Sequence, residues 1–173
     1  MNSSNFFPNF WRFLGLVAVQ SLLLKQFTLS VGAYFNVLLY PLFILFLPVQ
    51  LATPYIVLLG FGIGIVVDIF YGSMGVHAST GAFSGLLRNF ILLGFAPKGG
   101  FSGKEPIYSP YHFGWQQFLQ VSAIFFALHL FWYFSVDAFT FVYFGAITLK
   151  TMAAWGLTML FVVLYVAMFN PKI

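Results

Sequence analysis

The chain has 173 residues, of which 61 % are hydrophobic, 22 % aromatic and only 6 % charged. Soluble domains carry about 25 % charged residues and disordered segments are rich in charge and poor in aromatics, so both classes are excluded. The net charge of +4 comes from basic residues scattered among apolar runs, which form no stripe, so nucleic acid is not an expected partner. The class that remains is a polytopic membrane protein whose first partner is the lipid bilayer.

Backbone groups in lipid are satisfied by helices or by a closed barrel. Barrel strands alternate apolar and polar residues, whereas Phe43-Ile44-Leu45-Phe46-Leu47 and Phe161-Val162-Val163-Leu164-Tyr165 are apolar on every side. The expected fold is therefore all-α, a single transmembrane helical domain over residues 1–173. A crossing takes about 20 apolar residues, and apolar runs between breakers predict six spans.

The first span covers residues 10–28, beginning at Arg12 and carrying Lys25 near its end. No small-x-small cleavage site follows it, so it reads as a span rather than a cleaved signal. The second, 34–49, is interrupted by Pro41 and stops at Pro48. The third, 54–71, starts on Pro54, a favourable first-turn residue. Gly72-Ser73-Met74-Gly75 turns the chain into the fourth, 76–95. A polar connection, 96–113, leads to the fifth, 114–134. The sixth, 139–169, would reach ~45 Å as one helix, so it must tilt, protrude or break near Lys150.

Lys and Arg concentrate on cytoplasmic loops. With a cytoplasmic N-terminus, Arg12, Arg88, Lys98, Lys104 and Lys172 lie at the inner face and Lys25 outside. Both termini are therefore expected in the cytoplasm, with Arg88 snorkelling as an inner anchor.

The third and fourth spans carry the most specific pattern. Gly60, Gly64, Asp68 and Gly72 recur every four residues and share one helix face. His77, Gly81 and Gly85 repeat the spacing on the next span, with Ser84 beside them. Small residues at this spacing let helices approach to backbone contact, which predicts a tight antiparallel hairpin. An ionisable group in a span is disfavoured by about 2.5–3.5 kcal/mol, so Asp68 must face protein, water or the interface. It can cap the turn through a hydrogen bond to His77, contact a partner or ligand, or relay protons.

Gly64-Ile-Val-Val-Asp68-Ile-Phe-Tyr-Gly72-Ser-Met-Gly75-Val-His77 resembles the G-x-x-x-D-x-x-x-G-x-x-G-x-H/R hairpin of the rod-shape-determining MreD family. Leu87-Arg88-Asn89-Phe90 resembles its Arg-bearing continuation, and the Ala96-Pro97-Lys98 to Glu105-Pro106 stretch the loop that follows the hairpin in Bacteroidetes-type members. The resemblance implies a non-catalytic scaffold of the bacterial inner membrane that maintains cell shape. Its partners there are an MreC-like bitopic protein, a RodA-like polymerase, a penicillin-binding transpeptidase and, indirectly, the actin-like MreB of the peptidoglycan-elongating machinery. It also implies the fold of the membrane substrate-binding subunits of energy-coupling-factor transporters. Gly64, Asp68, Gly72, Gly75 and His77 occupy the motif positions, and Gly81 and Gly85 extend the small-residue face.

Catalytic chemistry finds little support. Without cysteine there is no thiol nucleophile, disulfide or thiolate metal site. Gly81-Ala-Phe-Ser84-Gly85 places its serine one position late for a hydrolase elbow, leaving a Ser84–His129 intramembrane protease as a remote reading. His77, His112 and His129 fall in different segments, so no metal, cofactor or enzyme activity is expected. Asp68, His77, His129 and Asp137 all fall in the outer half. If they converge, they form an outward-facing pocket, and the alternative function becomes a vitamin-capturing transporter subunit. Lys150 either snorkels outward or pairs with Asp68 or Asp137. The 96–113 loop, with Lys98, Lys104 and Glu105, offers a surface to cytosolic partners or is a solvated connector.

Overall fold

The computed structural model describes residues 6–32, 36–98, 100–101, 107–139, 142–169 and 171–172, and Lys104 and Glu105 lie outside them. The described residues form helices without a β-strand, the one isolated bridge joining Pro48 and Ile107. In chain order the elements are α1 (Phe6–Ala18), a π-helical turn (Val19–Leu24), α2 (Lys25–Val31), α3 (Leu42–Leu45) and α4 (Thr53–Tyr71). They continue as α5 (Val76–Gly94), α6 (Pro110–Phe113), α7 (Trp115–Ala138) and α8 (Phe144–Phe169).

Among the described residues, four helices are long and apolar enough to cross a membrane: Phe7–Thr28, Thr53–Tyr71, Trp115–Ala138 and Phe144–Phe169. They correspond to the first, third, fifth and sixth expected spans. The fourth, α5, is as long as α4 at 19 residues but carries His77, Thr80, Ser84, Arg88 and Asn89, so its sequence is less apolar. Helix α8 runs unbroken past Lys150 and starts at Phe144 rather than near 139.

The second expected span is not a crossing helix. Residues 36–47 are all buried, yet only Leu42–Leu45 are α-helical, and residues 36–39 have no regular secondary structure. Pro41 cannot donate a backbone hydrogen bond and disfavours helix in the residue before it, so the chain enters α3 only after it. Irregular backbone at membrane depth survives where protein surrounds it, and here three helices supply its partners. From the π-helical turn, the Gln20 side-chain amide donates to the Val37 carbonyl at 3.0 Å, and its oxygen accepts from Leu39 N at 2.7 Å and Tyr40 N at 3.3 Å. Thr158 of α8 accepts from Leu38 N at 3.4 Å. On α5, Arg88 donates to the carbonyls of Leu45, Leu47 and Pro48.

Arg88 therefore corrects a second expectation. It is 0 % exposed and does not snorkel, because its guanidinium fork is turned inward onto the carbonyls that the broken segment leaves open. The π-helical turn has a matching logic. Widening one turn brings both Gln20 and Ser21, as well as Leu24, to the buried side of the first long helix.

Contacts order the ends of the bundle. At one end Arg12 donates to the Phe46 carbonyl, Asn89 to Thr53, and Gln117 to the Phe95 carbonyl, while His112 meets the Lys172 carbonyl. At the other, Lys25 donates to the Phe70 carbonyl, Thr28 pairs with Asn36, and Asn36 donates to Tyr133. The start of α1 and the residues after α8 thus share one end. The hairpin turn occupies the opposite one.

Candidate functional site

The α4–α5 hairpin is closed by its glycines. A Cβ on Gly60 would strike the Gly81 carbonyl, one on Gly81 the Gly60 carbonyl, and one on Gly64 the backbone of His77 and Ala78. Gly85 meets Ile56 O and Val57 Cα, each at 2.8 Å from its ideal Cβ position. The two small-residue faces therefore pack on each other inside the protein. Gly72 (φ +69°) and Gly75 (φ +82°) serve differently, holding the left-handed conformations of the turn.

Asp68 ties the turn together. Its Oδ1 accepts from the Ser73 hydroxyl and from His77 N at 3.0 Å, and its Oδ2 accepts from Ala78 N at 2.8 Å. The backbone donors are open N–H groups of the first turn of α5, where a carboxylate also meets the positive end of the helix dipole. The imidazole Nδ1 of His77 lies 3.0 Å from the same Oδ1 and 2.9 Å from Ser73 Oγ. Asp68 is 7 % exposed and faces protein rather than lipid. The expected Asp68–His77 hydrogen bond is present.

Behind the turn lies a polar interior. The His77 ring is surrounded by Tyr71, Tyr133 and Tyr40, with centroids at 4.7, 5.1 and 5.7 Å. Tyr71 receives a 2.7 Å hydrogen bond from Gln20, and Tyr133 one of 3.1 Å from Asn36. His129 also packs on Tyr40, at 5.3 Å, and its Nδ1 lies 2.6 Å from Ser84 Oγ. Of the residues expected to line an outer pocket, Asp68, His77 and His129 gather in this interior, where both histidines are 0 % exposed. Asp137 is exposed at the end of α7, one turn beyond Tyr133, and Lys150 is half-buried near the start of α8.

Ser84 and His129 do reach nucleophile–base distance, but they are 1 % and 0 % exposed and, among the described residues, no carboxylate orients the imidazole. Gln20, Asn36, Tyr40 and Tyr71 complete the site together with Tyr133, and those four were not singled out from sequence. The lone amides Gln20 and Asn36 were the usable signal, since an amide within an apolar run needs a protein partner. Tyr40 carried no such mark.

These features define a multi-pass, all-helical membrane protein with a capped glycine-seamed hairpin and a polar interior behind it. No family model, curated protein or solved structure matches the chain.

Proposed function

We propose that the protein is a non-catalytic scaffold of the bacterial cytoplasmic membrane, acting as MreD-like proteins do in cell-wall elongation by holding an MreC-like bitopic protein beside a RodA-like polymerase, a penicillin-binding transpeptidase and, indirectly, MreB. The observation that carries this reading is the outer face of the hairpin. Gly60, Gly64, Gly81 and Gly85 are consumed internally, and the unit they form presents a groove of about 440 Å³ lined by Phe61, Ile65, Ile69, Met74, Ala78 and Ser79, with Asp68 and the turn residues Gly72, Ser73 and Gly75. An apolar groove on a stiff support suits a second transmembrane helix. The Lys and Arg distribution supports cytoplasmic termini.

The test is copurification from membranes with an MreC-like partner. Ile65→Trp fills the groove without touching the glycine seam and should reduce recovery severalfold at unchanged thermal stability. Recovery equal to wild type would refute this docking face. The convergence of Asp68, His77 and His129 favours a second reading, substrate capture for a vitamin transporter. Native mass spectrometry showing a small molecule lost in Asp68→Asn would replace the scaffold reading with that one.

A further inference from the structure

We infer that the interior between α5 and α7 is a binding site for ordered water, held by the Nε2 atoms of His77 and His129. It completes a hydrogen-bonded chain from Asp68 to Ser84. The inference is independent of the scaffold reading.

It follows from the protons. Asp68 accepts from the Ser73 hydroxyl and from the backbone N–H groups of His77 and Ala78, a donor set suited to an ionised carboxylate. Nδ1 of His77 faces two oxygens, Asp68 Oδ1 at 3.0 Å and Ser73 Oγ at 2.9 Å. The serine proton is directed to Asp68, so both oxygens are acceptors toward the ring and Nδ1 carries the hydrogen. In the neutral imidazole, Nε2 of His77 is then a bare acceptor.

His129 has the opposite arrangement. Ser84 Oγ lies 2.6 Å from its Nδ1, and this nitrogen is the acceptor the structure gives the serine hydroxyl. Ser84 therefore donates, Nδ1 is the lone-pair nitrogen, and Nε2 of His129 bears the hydrogen. One histidine thus offers a buried acceptor and the other a buried donor. Both residues are 0 % exposed, and neither Nε2 has a hydrogen-bond partner among the described residues.

The two rings lie against the same phenol, that of Tyr40, at 5.7 and 5.3 Å. Tyr133, one turn after His129 on α7, also touches His77 at 5.1 Å. Leaving a buried donor or acceptor unpaired is destabilising, and the remedy in protein interiors is a water that both donates and accepts. Water between these atoms accepts from His129 and donates to His77. The chain Asp68–His77–water–His129–Ser84 then joins the hairpin turn to α7 without any direct side-chain bond between the two histidines.

Side-chain nitrogen NMR on protein with ¹⁵N-labelled histidine in nanodiscs, at mildly alkaline pH, tests this directly. His112→Asn removes the third histidine, which lies at the far end beside Lys172. The expected spectrum has His77 as the Nδ1–H tautomer, His129 as the Nε2–H tautomer, and a magnetisation-transfer peak between the His129 Nε2–H and water. His129→Phe should then move the His77 Nε2 signal to its non-hydrogen-bonded position while Nδ1–H stays. The same tautomer at both residues, or no water peak at His129, overturns the inference in the wild-type interior, whatever the fate of the variant.

Discussion

Replacing Gln20 by methionine tests whether the broken segment is held by side chains of its neighbours. The two side chains are similar in length and volume, so packing is largely conserved while all four amide hydrogen bonds disappear. Two of the segment's own groups lose close partners, Leu39 N at 2.7 Å and the Val37 carbonyl at 3.0 Å. Tyr40 N, at 3.3 Å, shares the same amide oxygen as the longer and weaker of its two bonds. Tyr71 retains the backbone carbonyl of residue 20, to which its hydroxyl donates at 3.3 Å. Each stranded buried group costs about 1–3 kcal/mol, so Gln20→Met should destabilise the protein by about 2–6 kcal/mol. Unfolding by denaturing detergent in mixed micelles, followed by fluorescence of the four tryptophans, measures it. Leu22→Met on the same turn is the control, because Leu22 is 64 % exposed and its change should stay within about 0.5 kcal/mol. If Gln20→Met behaved like that control, the capping argument for residues 36–40 would be wrong.

The same assay reads four further changes. Gly81→Ala drives a methyl into the Gly60 carbonyl and should cost about 1–3 kcal/mol or more, whereas Gly62→Ala, with nothing within 4 Å of the added atom, should be neutral or stabilising by up to about 1 kcal/mol. Phe139→Gly should stabilise by up to about 1 kcal/mol, because Phe139 is 93 % exposed and held at φ +50°, a conformation that glycine adopts without strain. Arg88→Lys keeps the charge but loses the Nε–H and Nη1–H groups that donate to the Leu45 carbonyl and the Asn89 side chain, leaving one ammonium to replace Nη2 at the Leu45, Leu47 and Pro48 carbonyls. The Asn89 side-chain oxygen loses its Arg88 partner, and the loss should be about 1–3 kcal/mol rather than the near-neutrality expected of a snorkelling cation.

The spans and the hairpin were legible because their physics is local in sequence. Hydropathy runs mark the four crossing helices, since a bilayer selects for apolar length regardless of what lies beside each helix. The four-residue glycine spacing of α4 and α5 predicts their close approach, since each glycine removes the one atom that would hold the backbones apart. Asp68 and His77 sit on opposite sides of a four-residue turn, so their meeting required no knowledge of the rest of the chain. The described part of the second expected span, 36–49, was misread because an apolar run looks alike in a lipid-facing helix and in a buried irregular segment. The prolines at 41 and 48 mark where the helix fails, but not that Gln20, Thr158 and Arg88 satisfy the backbone in its place. Arg88 shows the same limit from the other direction. Its distance from the helix end reads as an anchor, and only the carbonyls of a segment 40 residues away turn it inward. The polar residues missed and the backbone misread are thus one problem. A side chain that stands in for a missing helical hydrogen bond can be recognised only once the broken helix is known, and the broken helix is tolerated only because such side chains exist.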